Sequence, residues 1–348
     1  MRCATLARVT KRIVVHTGPG KTGSSALQQW LTTHRQGLLD AGVLYPAHGL
    51  DRNGVSSGNR EELLDMVDVD GHHRHVVSAL KAEALRAALA DSPCHTLLLS
   101  SEFFFPALLD IQKELPEAEF VVYVRNPIEL LESNYNQSVK RHDETRAFTP
   151  PERFQAGLFG QIRRLLGAKT APRLILRPYG EALFEGGDIV SDLLRVLDVA
   201  GEKPTGRRVN ASYTLDALEF KRHANHFALG PLQPTIDRTL QAYAVGPREY
   251  SLVPPETYAT MRAACLEQLD QLMAERHVPE LGRLRDDLHH AAQRTYLPQS
   301  IERERLLAVA DHLEAVEPET FMHLRARVQR MPGLPLPNAA FYDRFAPA

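Results

Sequence analysis

At 348 residues, with 43% hydrophobic and 24% charged side chains, the chain has an ordinary globular composition. Its length suits one large α/β domain, or such a domain with a helical appendage. A formal net charge of −2 excludes a protein that coats nucleic acid non-specifically, so any anion site must be local, built from a few placed cations and backbone amides. The three cysteines, Cys3, Cys94 and Cys265, are odd in number and far apart; they form neither a disulfide framework nor the paired spacing of a zinc site, which suits a reducing compartment.

The N-terminal stretch MRCATLARVTKRIVVHTG is basic, but its apolar run is too short for a signal-peptide core and leads straight into a strand. No stretch has the length to cross a bilayer, so a cytoplasmic protein without a transmembrane segment is expected. Residues 12–17, RIVVHT, read as a buried strand of consecutive β-branched residues that stops at a glycine-rich turn. From Ser24 the period becomes helical, with Leu27, Trp30, Leu31 and Leu38 on one stripe. Residues 47–75 are polar and read as loops around a short helix at Glu61–Val67, and 76–91 as a helix. A second strand follows at 95–101 with Glu102 at its end, and a third at 119–125. Pro127, at a favoured first position, opens a helix that runs to about Arg141. A helix at 152–167, a fourth strand at 173–178 and a helix at 189–198 come next.

Beyond Gly201-Glu202-Lys203-Pro204 strand signals cease and the chain reads as helical from Leu215, with breaks at Gly230-Pro231, Gly246-Pro247 and Pro254-Pro255. The last stretch, MPGLPLPNAAFYDRFAPA, reads as an irregular tail. Alternating strands and helices predict a three-layer α/β fold around a parallel sheet over residues 1–215, with a helical C-terminal region over 216–348 as a cap or small second domain.

The sharpest chemical signal is His16-Thr17-Gly18-Pro19-Gly20-Lys21-Thr22-Gly23-Ser24-Ser25, between the first strand and helix. Glycines let backbone amides approach an anion, and the helix N-terminus offers unpaired N–H groups and the positive end of its dipole. Lys21 adds a cation, and Thr22, Ser24 and Ser25 add hydroxyl donors. In the P-loop of nucleoside triphosphatases the lysine directly follows the second glycine; here Gly23 is followed by Ser24 and the lysine lies two residues before it. Arg125 ends the third strand and Ser133 follows eight residues later, a guanidinium fork and a hydroxyl that suit a second phosphate. Glu102, at a strand end where binding crevices form in open α/β sheets, is a candidate general base; the competing reading is a cap on a helix beginning near Phe103. His16 is the alternative base, with a plain strand-end histidine as the simpler reading.

Lys21-Thr22-Gly23-Ser24-Ser25 followed by Leu27, then Arg125 and Ser133, resembles the PAPS-dependent sulfotransferases (PAPS is 3′-phosphoadenosine 5′-phosphosulfate). The likeness spans roughly residues 12–215 and is nearer the carbohydrate-type and bacterial members than the steroid and phenol enzymes, whose glycine-rich donor motif is not found. It implies a P-loop-like fold and PAPS as donor with PAP (3′,5′-ADP) as product, without a required metal. Gly18, Gly20, Lys21, Thr22, Gly23, Ser24 and Ser25 would hold the 5′-phosphosulfate, Arg125 and Ser133 the 3′-phosphate, with Lys21 and Glu102 catalytic. The acceptor it implies is a hydroxyl or amine, possibly on a glycan; the sequence does not fix that acceptor or the oligomeric state. The rivals are a P-loop kinase or other ATP-using enzyme, for which no Walker B aspartate closes the apolar strands, and a non-catalytic nucleotide-binding module.

Other features read as structural. Asn210-Ala211-Ser212, after Arg207-Arg208, suggests either a ligand contact or an N-cap at Ser212 or Thr214. Arg177 and Tyr179 read as packing or an ion pair, His72, His73 and His75 as a solvated loop rather than a metal site, and Lys140, Arg141 and Arg146 as a wet helix end.

Overall fold

The computed structural model describes residues 11–49, 56–199, 212–331 and 340–345. Its order begins with Arg12–Thr17 (β1), whose run of β-branched residues is buried on both faces, as a central parallel strand requires. Ser24–Thr33 (α1), Arg35–Asp40 (α2) and the short Val43–Leu44 (β2) follow. Leu64–Val69 (β3) and His72–Val77 (β4) pair antiparallel as a separate hairpin. This replaces the helix expected at Glu61–Val67. Met66, Asp68, His73 and His75 alternate with Val67, Val69, His72 and Arg74, a period of two that the polar composition disguised. Only Arg60–Glu62 keeps a single 3₁₀ turn.

Ala79–Asp91 (α3), Thr96–Ser100 (β5), Leu108–Glu114 (α4), Glu119–Arg125 (β6), Pro127–Arg141 (α5), Gly157–Leu166 (α6), Arg173–Tyr179 (β7) and Ile189–Val196 (α7) complete the alternating part. The sheet order is β2-β5-β1-β6-β7, and every adjacent pair is parallel. Strand alternation sends Ile13 and Val15 to one face, against Leu85 and Leu89 of α3 and Leu108 and Ile111 of α4. Val14 goes to the other, against Leu27 and Leu31 of α1 and Leu193 and Leu194 of α7. Helices on both faces make a three-layer α/β fold.

Leu215–Ala224 (α8), Gln233–Ala242 (α9), Pro255–Arg276 (α10), Gly282–His290 (α11), Arg303–Val316 (α12), Pro318–Gln329 (α13) and Ala340–Phe345 (α14) supply the helical remainder. The chain divides into two compact units that are discontinuous in sequence. The first takes 1–126, 156–209 and 266–289; the second takes 127–155, 210–265 and 290–348. The sequence had suggested one cut after residue 215; each unit instead draws on three stretches of chain.

In the second unit all ten residues of α8 are buried, among them Glu219, Lys221, Arg222 and His223. Arg222 Nη2 meets Glu219 Oε2 at 2.7 Å, and its Nη1 donates to the Thr145 carbonyl at 2.9 Å, so the charges are paired within the core. Thr214 caps α8 by accepting the Ala217 N–H; Asn210, Ala211, Arg207 and Arg208 lie outside the described residues. The expected irregular tail contains α14, with Phe341 and Phe345 buried in the core of this unit. The aromatic i, i+4 pair outweighs the prolines before it. Arg141 is paired with Asp237 at 2.9 Å and Lys140 Nζ lies 4.1 Å from the Tyr213 ring centroid, so these two serve the fold of the second unit, while Arg146, which forks onto Glu144, is solvated as expected with its side chain 85% exposed.

Candidate functional site

The glycine-rich segment joins the end of β1 to α1 within the first unit. Gly23 is the residue before α1 and adopts a left-handed conformation, φ +75°. A side chain there would meet Ile189 Cδ1 at 3.1 Å and Tyr179 Cε2 at 3.2 Å, so both backbone and space require glycine. Lys21 is also left-handed, φ +71°, a conformation that costs a non-glycine residue on the order of 1–2 kcal/mol and that sites use to aim a group. Leu27 N–H closes the first turn of α1 on the Gly23 carbonyl at 3.1 Å. The amides of Ser24, Ser25 and Ala26 precede any intrahelical acceptor and carry the positive end of the helix dipole.

Thr22 departs from expectation: its hydroxyl donates to the Pro19 carbonyl at 2.9 Å, and the side chain is buried. Its proton shapes the loop instead of reaching outward. A Cβ on Gly18 would come within 3.3 Å of that same hydroxyl.

Glu102 and Arg125 come to this loop from the adjacent strands on either side of β1. A Cβ placed on Gly20 would lie 3.2 Å from Glu102 Oε2, so the exposed carboxylate stands directly over the loop. Arg125, closing β6, donates from Nη1 to the Lys21 carbonyl at 2.9 Å, and its Cζ lies 5.3 Å from the Tyr179 ring centroid. Lys21, Glu102 and Arg125 therefore gather at the carboxyl end of a parallel sheet, where loops leave adjacent strands and a ligand crevice forms. Ser133 lies on α5 and belongs to the second unit.

The cap, the competing reading for Glu102, falls to its neighbour: Ser101 Oγ accepts the Phe103 N–H at 3.2 Å. The Glu102 carboxylate is thus left for the loop. His16 is enclosed. Its Nδ1 is 2.8 Å from Ser100 Oγ, its ring meets Tyr123 edge-on, and burial pulls its pKa down to about 4. A neutral, buried imidazole is a strand-end packing group, the simpler of its two readings. Its Nε2 and the Thr17 hydroxyl are buried without a hydrogen-bond partner among the described residues.

Two supports of the site were not singled out in the sequence. Residues 56–60 clamp the end of β5: Asn59 N–H donates to the Ser100 carbonyl at 3.1 Å, Ser100 N–H donates to Asn59 Oδ1 at 2.8 Å, and Ser101 Oγ donates to the Ser57 carbonyl at 2.7 Å. The polar run SSGN signalled only a loop. The second support is buried Asp192 of α7, which accepts from Tyr123 at 2.9 Å and from Arg177 at 2.6 and 3.0 Å, locking α7 to β6 and β7. Arg177 is thereby the ion-pair residue expected of it. Chemically, the loop offers backbone amides for an anion, with the Glu102 carboxylate over Gly20 and the Arg125 guanidinium on the Lys21 carbonyl.

No helix among the described residues is long and apolar enough to cross a membrane, and none of their His, Cys, Asp and Glu side chains form a group of three or more suited to a metal ion. No protein-family model, curated protein or solved structure matches the chain.

Proposed function

We propose that the chain is a PAPS-dependent sulfotransferase on a P-loop-like fold, moving a sulfuryl group onto a hydroxyl or amine of an acceptor. The observation that carries the reading is the placement of the Glu102 carboxylate over Gly20 while Arg125 holds the Lys21 carbonyl from the opposite neighbouring strand. A base over the loop and a guanidinium behind it suit a donor with phosphate groups at two positions.

In the proposed in-line step the acceptor oxygen or nitrogen attacks sulfur and its proton passes to Glu102. The bond from sulfur to the bridging oxygen breaks, and its electron pair stays on the departing 5′-phosphate. Lys21 stabilises the charge that grows there; the loop amides with Ser24 and Ser25 hold the phosphate oxygens, and Thr22 keeps the loop in shape. Arg125 anchors the 3′-phosphate, a role the family resemblance also gives Ser133. Catalysis comes mainly from positioning and fixed dipoles. A sulfuryl group carries less charge than a γ-phosphoryl, so no metal is needed to neutralise it.

Calorimetry with 3′,5′-ADP, ATP and 5′-AMP tests the donor site. We expect 3′,5′-ADP to bind most tightly without Mg²⁺, and Arg125→Ala to weaken it by about tenfold or more, as loss of a charge-assisted hydrogen bond does. Lys21→Ala should cost on the order of 3 kcal/mol in the barrier, about a hundredfold in turnover. Preference for Mg·ATP, or indifference to the 3′-phosphate, would overturn the reading.

A further inference from the structure

Arg125 and Tyr179 stand opposite each other where β6 and β7 end, the last paired residues of the two strands. Tyr179 borders two parts of the site. Its ring centroid lies 5.3 Å from Arg125 Cζ, and its Cε2 would be 3.2 Å from a Cβ on Gly23. Phe184 meets this ring edge-on at 5.2 Å and meets Tyr123 of β6 in turn at 6.0 Å, centroid to centroid. An aromatic chain rooted in β6 thus steadies a ring that lies against both the guanidinium and the turn into α1.

Arg125 in turn holds the loop. Its Nη1 donates to the Lys21 carbonyl at 2.9 Å, and Lys21 has φ +71°, a left-handed conformation that a residue with a side chain adopts only at a cost. Because a peptide group is planar, fixing that carbonyl fixes the peptide between Lys21 and Thr22, and with it the backbone that carries the ammonium. Gly23 repeats the left-handed turn at φ +75°, with no room for a side chain between Ile189 and Tyr179. A guanidinium carries several N–H donors, so its bond to the carbonyl and a bond to a phosphate are not exclusive.

We propose that Arg125, steadied by Tyr179, positions Lys21 in addition to contacting the donor, so that the 3′-phosphate and the lysine at the reacting end are coupled through the Lys21 peptide. The inference rests on the sulfotransferase reading and adds to it how the far phosphate reaches the chemistry. A donor that engages Arg125 also stiffens the loop, whereas one without a 3′-phosphate meets a lysine that is less firmly placed. Tyr179 is a second positioning residue, acting on Lys21 through Arg125.

The probe is adenosine 5′-phosphosulfate, the donor without its 3′-phosphate, which offers Arg125 no such group to hold. It is titrated by calorimetry into the full chain, into Arg125→Ala, Tyr179→Leu and Tyr179→Phe, and into each of these combined with Lys21→Gly. 3′,5′-ADP and 5′-AMP are titrated into wild type. Urea unfolding checks that every variant is folded, and Arg125→Gln replaces the alanine variant if that one is not. We expect Arg125→Ala to weaken the phosphosulfate by about tenfold and Tyr179→Leu by about threefold, with Tyr179→Phe, which keeps the ring, recovering most of that loss. In the Lys21→Gly background no ammonium has to be placed and glycine takes the left-handed turn freely. There the same substitutions should cost less than about twofold. A loss equal in both backgrounds would show that Arg125 acts by its charge alone and would overturn the proposal. So would an Arg125→Ala variant that binds the phosphosulfate as tightly as wild type. If 3′,5′-ADP binds wild type no better than 5′-AMP, the donor reading fails while the measured coupling of Arg125 to Lys21 stands. No binding of the phosphosulfate to wild type would overturn both, since the loop would then hold no such group.

Discussion

Gly58 has no room for a side chain. Its φ is +67°, and a Cβ built on it would lie 1.7 Å from the Ser100 carbonyl oxygen, a backbone atom that cannot step aside without moving the end of β5. Gly58→Ala should therefore destabilise the protein by on the order of 3 kcal/mol or more, measured by urea unfolding, and should lower turnover through displacement of Glu102. His16 makes a second prediction at this scale. Because burial favours its neutral form, the unfolded chain binds one more proton than the native protein between the ordinary histidine value of 6.5 and the native value of about 4. Stability is then lost as pH falls below about 6.5, and the loss is complete near pH 4, amounting to about 3 kcal/mol from this group. His16→Gln should flatten that part of the stability–pH curve; an unchanged slope would show that the ring is not held neutral. Lys21, Gly23 and Arg125 were legible in the sequence because their chemistry lies in the residue type and in spacing along the chain. The need for Gly58 was not, since the atom that forbids a side chain there belongs to Ser100, which is distant in sequence.

Among elements, four strands of the parallel sheet were legible from their apolar runs: β1, β5 and β6 are buried on both faces and have no other composition available, and the edge strand β7 keeps the apolar run Leu174-Ile175-Leu176. The β3–β4 hairpin was not. Asp, Met, Arg and His alternate along it, and both strands are largely exposed, so hydrophobic contrast is weak and the turn at Asp70-Gly71 was the only strong cue. That misreading also concealed the pairing of Leu64, Asp65 and Met66 with Val77, Val76 and His75 across the hairpin. α14 was hidden for the opposite reason: prolines dominate its surroundings in sequence, whereas Phe341 packs 5.3 Å from Phe220 and 4.9 Å from Phe345, centroid to centroid. Phe341→Ala should cost roughly 3–5 kcal/mol in the stability of the second unit, measured by denaturant unfolding. A loss below about 1 kcal/mol would mean that α14 adds little to that core.

At the scale of the whole molecule, the main α/β alternation was readable to residue 200, apart from the β3–β4 hairpin and the short β2 and α4, because most of its elements signal themselves locally. The division into units was not, because it depends on which distant stretches pack together, and sequence order says little about that. Two parts of the first unit, α6 and residues 266–289, illustrate the point. Arg163 of α6 reaches Glu275 of α10 at 3.3 Å, and the Ala156 N–H at the start of that segment donates to Gln268 Oε1 at 2.9 Å. More than a hundred residues separate these partners.

This interleaving constrains how the protein is made. Translation proceeds at roughly 5–20 residues per second, and domains continuous in sequence fold as they emerge. Here β7 is complete at Tyr179, but the first unit waits for residues 266–289, while the second waits for α14 near the end of the chain. Neither unit can be completed on the ribosome long before the other, and the growing chain carries two unfinished cores at once. The loop closures are long and their entropic cost is met late, so the slow step of folding is expected to be assembly of distant stretches, not formation of any one helix or strand.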